Sequence, residues 1–315
     1  MRILIAGAGV IGTVYGAHLG AAGHAVSVLS HPPRTGDVAA AGLIARDVLT
    51  GSRVETPAVV VPDAATGRYD LVLVAVRADQ LASACAELTG LQGVPAVLFF
   101  GNNPGGRAAI PATVPGAVQL GFPGIGGVLR DGTADYARIW QQPTALPATS
   151  DPRLAELERV LRQRGFAVQP VTDMDGWLAF HAAFVACVTA ALYRCGSDPA
   201  RLAADRHTLT LMCDAVTEAF RALRDSGVTG LPRNLATLHS PALKPVAVRY
   251  WARTMRSPAG ELFFAAHARH AQPEMLALAV QVTARLGTSP ATSRLSELLL
   301  VPRLLRHEII RTDSS

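Results

Sequence analysis

The sequence is poor in lysine, in aromatic residues and in paired cysteines. Lys244 is its only lysine, so arginine supplies nearly all of its positive charge. The net charge of +5 is not gathered into a basic tract with interleaved aromatic residues, which argues against a nucleic-acid-binding protein. The four cysteines are scattered without a C-x-x-C pair, so we expect reduced thiols and a cytoplasmic protein.

Two further absences concern membranes and secretion. The chain enters an apolar, strand-like segment at once and shows no cleavage site, so we expect no signal peptide. We identify no uncharged apolar run of about 18 residues and therefore expect no membrane span. Half of the 315 residues are apolar and 17% are charged, which predicts a folded chain long enough for two domains.

The most informative stretch is residues 2–34. A short apolar run at residues 2–6 leads into the glycine-rich residues 7–12, and apolar residues then recur with helical spacing. A second apolar run, Ala25–Leu29, follows a break at Gly23. This order of strand, glycine-rich turn, helix and strand predicts a dinucleotide-binding βαβ unit. The alternative is a glycine-rich turn in an α/β domain that binds no nucleotide.

Each glycine of the G-x-G-x-x-G motif has a distinct physical task. Gly7 allows the tight turn, Gly9 lets a pyrophosphate approach the backbone, and Gly12 lets the helix pack on the sheet. Val10 and Ile11 open the helix, whose N-terminal N–H groups attract phosphate. We therefore predict that these five residues bind the cofactor.

The residues after the second strand bear on the choice between NAD and NADP. An NAD-selective site typically carries Asp or Glu there, to hold the ribose 2′-OH. The sequence has no carboxylate at this point, where it places His31 and Arg34 around a Pro-Pro pair. Because Arg34 has the geometry to bind a 2′-phosphate, we predict NADP. The alternative for Arg34 is an ordinary solvated arginine.

The following segments predict a doubly wound parallel sheet. Residues 70–76 and 95–100 are apolar throughout, as in strands buried in a parallel sheet. They end in the segments Arg77–Gln80 and Asn102–Gly106. Ligands bind at the carboxyl ends of such strands, so one crevice is predicted around these two segments and the glycine loop. Residues 116–147 predict hairpin-like β structure, residues 152–164 a helix, and residues 166–170 a last strand.

The pattern changes near residue 173, beyond which helical periods predominate. We therefore predict a Rossmann domain over residues 1–172 and an all-helical substrate and dimerisation domain over residues 173–315. A small-molecule substrate is expected in a cleft between domains. The candidate helices are Trp177–Tyr193, Leu202–Ser226, Pro245–Met255, Gly260–Leu286 and Thr292–Ile309, with Gly227–Ser240 as the main irregular loop.

Five segments together resemble the ketopantoate reductase family. They are RILIAGAGVIGTVYGAHLGAAGHAVSVL, DLVLVAVRADQ, VLFFGNN, DGWLAFHAAF and TSPATSRLSEL. The resemblance covers nearly the whole chain. It implies an NADPH-dependent 2-oxo acid reductase whose helical domain is of the 6-phosphogluconate dehydrogenase C-terminal type. It also allows a homodimer formed through that domain.

The resemblance assigns roles to individual residues of the first domain. The family's arginine after the second strand falls on His31, its strand-end lysine falls on Arg77, and Gln80 is retained. Its asparagine near the nicotinamide and the substrate is Asn102. The cofactor-binding residues are thus predicted to be Gly7, Gly9, Val10, Ile11, Gly12, His31, Arg34, Arg77, Gln80 and Asn102.

The helical domain departs from the family. The family places its catalytic lysine two residues after a tryptophan, which is Ala179 when counted from Trp177, and two asparagines at Ala183 and Cys187. The spacing of four places all three on one helix face, so a polar stripe has become apolar. The resemblance aligns later polar residues with Ser257 and, more loosely, His270. The predicted substrate pocket is therefore Ala179, Ala183, Cys187, Ser257 and His270.

The loss of the lysine affects the expected chemistry. Hydride addition to a ketone creates an alkoxide, which needs a proton donor or a positive charge. His181 is the nearest candidate on the helix, and the alternative is that it packs in the core. An iminium carbon would relax the need, because hydride addition then neutralises charge. We therefore expect an NADPH-dependent reductase of a C=O or C=N bond in a substrate larger or more apolar than ketopantoate, with His181 and Asn102 as catalytic residues.

Other interpretations remain open at this stage. His267, His270 and Glu274 share one helix face and have metal-ligand spacing, although such spacing is commonly incidental, and we predict no metal. Cys187 is a nucleophile only if a base lies beside it, and a buried thiol is the alternative. The chain could also be a redox-silent enzyme that catalyses cyclisation or isomerisation, or a non-catalytic NADP-binding protein.

Overall fold

The fold is described from a computed structural model that covers residues 1–93, 95–287 and 289–300. The chain divides into two compact units, Met1–Met174 and Asp175–Ser315. The sequence predicts the boundary between residues 172 and 173, so the observed division lies close to it. The first unit is an α/β domain and the second is helical. The predicted fold class is therefore confirmed.

The first domain is built on a six-stranded sheet in which every pairing is parallel. Apolar segments such as RILIA and LVLV form its buried strands, as expected for a sheet covered on both faces. The helices and strands up to the last strand of this sheet are β1 (Arg2–Ala6), α1 (Val10–Gly20), β2 (Ala25–Leu29), α2 (Arg34–Ala41), β3 (Leu43–Asp47), β4 (Arg53–Thr56), β5 (Val59–Val60), β6 (Leu71–Val74), α3 (Leu81–Glu87), β7 (Ala96–Phe100) and β8 (Ala117–Gly121).

The strand order determines where a ligand would bind. The order is β5-β2-β1-β6-β7-β8, so the chain builds the sheet outward in both directions from β1 and β6. This reversal is a topological switch point, and the loops that follow β1 and β6 lie on either side of it. The glycine-rich turn is the loop that follows β1.

The rest of the first domain is a smaller β layer. The antiparallel pair β9 (Ile125–Arg130) and β10 (Thr133–Arg138) joins β3 and β4 in a four-stranded sheet. The hairpin predicted within residues 116–147 is thus confirmed. Helix α4 (Pro152–Gln163) is capped by Asp151, whose carboxylate accepts the Arg153 N–H. The parallel pair of β11 (Thr144–Pro147) and β12 (Val168–Val171) completes the domain.

The second domain is helical wherever the structure describes it as regular. Its elements are α5 (Met174–Arg194), α6 (Pro199–Ala204), α7 (Arg206–Asp225), α8 (Arg233–Leu238), α9 (Lys244–Arg256), a π-helical segment (Gly260–Ala265), α10 (Ala266–His270) and α11 (Gln272–Leu286). Residues 293–300 are also helical, and the remainder of the predicted helix Thr292–Ile309 lies outside the described residues.

Three predicted elements of this domain differ from the structure. The helix predicted over residues 202–226 is divided at Asp205, whose carboxylate caps α7 by accepting the Thr208 N–H at 3.0 Å. The helix predicted over residues 260–286 is interrupted at Ala271, just before Pro273, which has no N–H to continue a helix. The loop predicted at residues 227–240 contains α8.

Helix α5 overturns the expectation that the chain has no segment of membrane-spanning length. It has 21 residues and a mean hydropathy of 1.6 over an 18-residue window, so it is long and apolar enough to cross a bilayer. However, 89% of that window is buried within the protein. The apolar sequence of α5 is accounted for by its central place in the helical core.

Candidate functional site

The turn after β1 has the geometry that the glycine motif predicts. Gly7 has a φ of +96°, and its N–H donates to the Leu29 carbonyl at 2.9 Å. A Cβ atom at Gly7 would lie 2.9 Å from the Ala75 carbonyl oxygen on the loop after β6. Only glycine fits this backbone, because a side chain would be strained and would also clash. The turn is therefore held tightly against the switch point.

Gly12 lies in a tightly packed position, whereas Gly9 lies beneath open space. A Cβ at Gly12 would collide with the Gly7 carbonyl oxygen and lie 2.9 Å from Ile5 Cγ2, so Gly12 is needed for α1 to pack on β1. Gly9 is exposed, and a Cβ there would meet nothing within 4 Å. Space is therefore open directly above the Gly9 backbone, which is the approach that the motif offers to a pyrophosphate.

The first turn of α1 is suited to an anion. Gly9 is its N-cap, no described side chain caps it, and it contains no acidic residue. Val10 and Ile11 are half-buried at the start of the helix. The unpaired N–H groups of this turn, together with the positive end of the helix dipole, attract negative charge.

Arg34 braces the glycine loop. Its Nε donates to the Ala8 carbonyl at 2.9 Å, and its Nη2 donates to Thr13 Oγ1 at 3.2 Å. Its Nη1 donates to Asp37 Oδ2 at 3.0 Å and to the Gly132 carbonyl at 3.3 Å. The side chain is only 13% exposed, so the alternative of a solvated arginine is wrong. Most of its donors are engaged within the protein, and phosphate binding by Arg34 stays a prediction.

The basic residues predicted to bind the cofactor each lie beside a carboxylate. His31 Nε2 is 3.1 Å from Glu87 Oε1, and Arg77 Nε donates to Asp79 Oδ1 at 3.1 Å. Arg34 is paired as described above. The argument for NADP assumed that no carboxylate lies near the end of β2, and this assumption is wrong. Glu87 comes from α3, far from His31 in sequence, so the local sequence gave no sign of it.

Two further predicted cofactor residues have structural partners. Gln80 Oε1 accepts the backbone N–H of Arg77 at 3.3 Å and so caps the short 3₁₀ turn that leads into α3. Asn102 is half-buried in the loop after β7, beside Asn103, whose Nδ2 donates to the Gly106 carbonyl at 2.8 Å. These contacts shape the loops at the carboxyl edge of the sheet, and nucleotide contacts of Gln80 and Asn102 stay predictions.

The apolar stripe on α5 is part of the core. Ala179, Ala183 and Cys187 are 3%, 1% and 0% exposed and belong to the main apolar cluster of the helical domain. They do not line an open pocket, as the sequence interpretation required, because neighbouring helices cover this face of α5. Burial raises the pKa of the Cys187 thiol far above its usual range, which removes it as a nucleophile near neutral pH.

His181 is also buried, with 4% of its surface exposed. Its ring stacks on Trp177 with centroids 4.9 Å apart and an interplanar angle of 6°. Burial lowers the pKa of His181 to about 3, so the imidazole is neutral near neutral pH. A neutral imidazole can donate one hydrogen bond, but it supplies neither a positive charge nor a readily released proton, so a catalytic role of His181 stays a prediction.

The remaining candidates of the helical domain are tied to nearby structure. Ser257 Oγ donates to the Thr254 carbonyl at 2.7 Å at the end of α9. His270 is exposed, and its Nδ1 is 2.7 Å from the Ala266 carbonyl oxygen. Lys244 Nζ lies 2.7 Å from a carboxylate oxygen of Asp214, so the single lysine is held in an ion pair.

Metal coordination by the histidines near α10 has no geometric support. Within the described residues, no three or more His, Cys, Asp or Glu side chains are arranged to hold a metal ion. Glu274 is buried whereas His267 and His270 are exposed. The helix predicted to carry all three residues is interrupted at Ala271, between His270 and Glu274.

The sequence of the first domain matches a known family. Residues 3–140 match the family model described as Ketopantoate reductase PanE/ApbA. The first domain is therefore similar to a PanE/ApbA domain. The match contains the glycine loop and the loops after β2, β6 and β7, and it ends before the helical domain begins. Among curated proteins, no sequence matches this chain.

Solved structures extend the similarity in fold to the whole chain. The 2-dehydropantoate 2-reductase from Methylococcus capsulatus is 19% identical, with a TM-score of 0.72 over 100% of this chain and 99% of that chain. A PanE/ApbA family ketopantoate reductase from Ralstonia eutropha JMP134 is 21% identical, with a TM-score of 0.68 over 98% and 99%. D-mandelate dehydrogenase with NADH and anilino(oxo)acetate is 14% identical, with a TM-score of 0.72 over 98% and 99%. At these identities the similarity establishes a shared fold.

In the helical domain, the sequence did not predict the buried polar atoms of His239 and Trp251. His239 is 4% exposed and lies among Phe184, Phe220 and Trp251, with ring centroids 6.0 to 6.3 Å away. Within the described chain, neither ring nitrogen of His239 nor Nε1 of Trp251 has a hydrogen-bond partner. Burial lowers the pKa of His239 to about 4, so it is neutral. His239 follows α8 in a segment predicted as an irregular loop, where no sequence pattern marks it as buried.

Proposed function

We propose that this chain is a nicotinamide-dependent reductase that uses NADPH to reduce a C=O or C=N bond in a molecule larger or more apolar than ketopantoate. The observation that carries the proposal is the turn after β1. In this turn a Cβ atom at Gly7 or at Gly12 would clash with neighbouring atoms, whereas one at Gly9 would meet nothing within 4 Å. Gly9 is the glycine that is expected to lie beneath a pyrophosphate. The PanE/ApbA family match supports the same class of reaction.

The residues of the first domain fit a dinucleotide. The Gly9 backbone and the first turn of α1 would hold the pyrophosphate, while His31 stands at the end of β2, where the adenosine ribose binds in such folds. Asn102 stands after β7 on the same carboxyl edge of the sheet. The chemistry that a bound reduced nicotinamide supplies is hydride donation. The chain must then provide orientation of the substrate and, for a ketone, stabilisation of the new oxyanion.

The charges on α5 favour a C=N bond over a C=O bond. Ala179 and the neutral His181 leave this helix without a positive charge at the position where the family carries its lysine. A ketone would develop negative charge that α5 does not balance. An iminium carbon accepts hydride with loss of charge and needs no such partner. We therefore propose an iminium, or an imine protonated in solution, as the preferred substrate.

A second candidate function is a non-catalytic NADP-binding protein or a redox-silent enzyme on the same fold. The closed, apolar core around Ala183 and Cys187 favours it, because this face of α5 carries small, buried side chains. The three possibilities differ in how they use the nucleotide. A reductase consumes NADPH in the presence of its substrate, a sensor binds NADPH without consuming it, and a redox-silent enzyme turns over without nucleotide.

The decisive experiment follows NADPH absorbance with a panel of ketopantoate, an apolar 2-oxo acid and a cyclic imine. We expect oxidation with the imine, little with the apolar 2-oxo acid and none with ketopantoate. A Gly9→Val variant is the control, because it should abolish oxidation by blocking the pyrophosphate. Rapid reduction of ketopantoate would contradict the altered substrate. Tight NADPH binding with no oxidation of any compound would favour the sensor.

A further inference from the structure

A carboxylate lies at the ribose end of the candidate cofactor site. His31 is 73% exposed at the end of β2, and Glu87 Oε1 lies 3.1 Å from its Nε2. Ser83 Oγ donates to the same Glu87 oxygen at 3.3 Å, so the carboxylate is held from within α3. Glu87 is itself 31% exposed and faces solvent beside His31. It is therefore in reach of a ligand that contacts His31.

The position of Glu87 has a known electrostatic meaning in this architecture. In a dinucleotide-binding sheet, the residue after the second strand contacts the ribose, and a carboxylate there accepts hydrogen bonds from the 2′-OH. The same carboxylate repels a 2′-phosphate, because two negative charges then meet at hydrogen-bond distance. Glu87 comes from a different element, but its contact with His31 places a carboxylate beside the side chain of a residue that follows β2 closely.

The neighbouring arginines do not offset this charge. Arg34 is paired with Asp37 and Arg77 is paired with Asp79, so each cation at this edge has its own carboxylate. A 2′-phosphate arriving beside His31 therefore meets balanced charge in place of a cationic cluster. Discrimination between a phosphate and a hydroxyl is expected to be weak in such surroundings.

We infer that Glu87 is a specificity-determining residue that lowers the preference for NADPH and lets the chain accept NADH as well. The inference rests on the proposed function, because it concerns the cofactor of that reaction. Glu87 accepts a hydrogen bond from the ribose 2′-OH of NADH and opposes the 2′-phosphate of NADPH. His31 supports whichever group is bound by donating from its ring.

The test is calorimetric titration of the full chain with NADPH and, separately, with NADH. The variants are Glu87→Gln, which removes the charge and keeps the shape, and Glu87→Lys, which reverses the charge. Glu158→Gln is the matched control, because Glu158 is a surface carboxylate that pairs with Arg162 on α4. Thermal melting of each variant confirms that it is folded.

We expect Glu87→Gln to raise the ratio of NADPH to NADH affinity by about tenfold, and Glu87→Lys to raise it further. Glu158→Gln should leave the ratio unchanged. If both nucleotides bind and neither Glu87 variant changes the ratio, the inference is wrong and the proposed function survives. A fall in NADPH affinity in Glu87→Gln would also overturn it, because Glu87 would then assist the phosphate through His31. If the wild type binds neither nucleotide, both proposals fail.

Discussion

The glycine loop of the first domain and helix α5 of the second respond differently to sequence change. In the loop, a side chain at Gly7 or Gly12 would clash with backbone carbonyl oxygens, and open space lies above Gly9. In α5, Ala179 and Ala183, which the sequence interpretation placed in a substrate pocket, are small side chains closed into the core. The candidate nucleotide site thus rests on backbone geometry, whereas any site on α5 would depend on its side chains.

Among the single substitutions, the largest effect is expected from a lysine at position 179. Ala179→Lys would bury an ammonium group at a position that is 3% exposed. We expect it to lower the free energy of unfolding by about 4 kcal/mol, because an unpaired charge is desolvated. Denaturant unfolding measures this, with Ala204→Lys on the exposed face of α6 as the control. A stable Ala179→Lys variant that reduces ketopantoate would contradict the closed core around α5.

Acid should destabilise the helical domain through its buried histidines. Burial lowers the pKa of His181 to about 3 and of His239 to about 4, from 6.5 in an unfolded chain. Between pH 6.5 and about 4, the unfolded state binds more protons than the folded state, so stability is full above pH 6.5 and falls as pH falls. The expected slope is about 1.4 kcal/mol per pH unit for each histidine.

Unfolding free energies measured across this pH range test the acid effect. The double variant His181→Phe, His239→Phe should show a clearly shallower slope than the wild type. Equal slopes would mean that these two histidines are already protonated in the folded protein, and their burial would then be incompatible with the measurement.

A pair of alanine substitutions separates the roles of the loop glycines. Gly12→Ala should lower stability by about 3 kcal/mol, because its Cβ collides with the Gly7 carbonyl oxygen. Gly9→Ala should change it by less than about 0.5 kcal/mol, because nothing lies within 4 Å of its Cβ. Denaturant midpoints of the two variants measure the contrast. Equal losses would show that Gly9 is as enclosed as Gly12.

Arg34 should matter to the loop before any nucleotide binds. Arg34→Met removes the hydrogen bonds to the Ala8 carbonyl and to Thr13, and we expect a loss of about 2 kcal/mol in the nucleotide-free protein. Arg53→Met serves as the control, because Arg53 is 50% exposed. If Arg34 served only as a phosphate ligand, melting without nucleotide would be unchanged and only nucleotide affinity would fall.

The smallest expected effect is a gain in stability. In the described chain, the two ring nitrogens of His239 are buried and lack hydrogen-bond partners. His239→Phe replaces this ring by an apolar one, among Phe184, Phe220 and Trp251. We expect a stabilisation of about 1 kcal/mol, because a buried polar group without a hydrogen bond is unfavourable. Thermal melting measures it. A loss of stability would mean that an ordered water or a ligand satisfies His239.

Local patterns predicted the first domain well. The run RILIA and the run AVSVL became β1 and β2 at the expected residues, because strands buried in a parallel sheet carry an unbroken apolar pattern. Gly7, Gly9 and Gly12 predicted the shape of the turn, since the positive φ at Gly7 and the close packing of Gly12 on Gly7 and Ile5 are local requirements. Helix ends were less predictable where a single cap decides them, as at Asp205.

Features that depend on distant residues could not be predicted in this way. Glu87 reaches His31 from α3, and only the fold brings the two together. The spacing of Ala179, Ala183 and Cys187 correctly placed them on one helix face, but it could not show whether that face opens on a pocket or on the core. The same limit applies to His181, whose neutral state follows from a degree of burial that its own sequence does not reveal.

The most direct test of the contrast between these two regions is a calorimetric titration of the wild type and of Gly9→Val with NADPH. We predict saturable binding by the wild type and loss of binding in Gly9→Val, with unchanged melting of the nucleotide-free proteins. Absence of binding by the wild type, or equal binding by both proteins, would contradict the assignment of the glycine loop as a working nucleotide site.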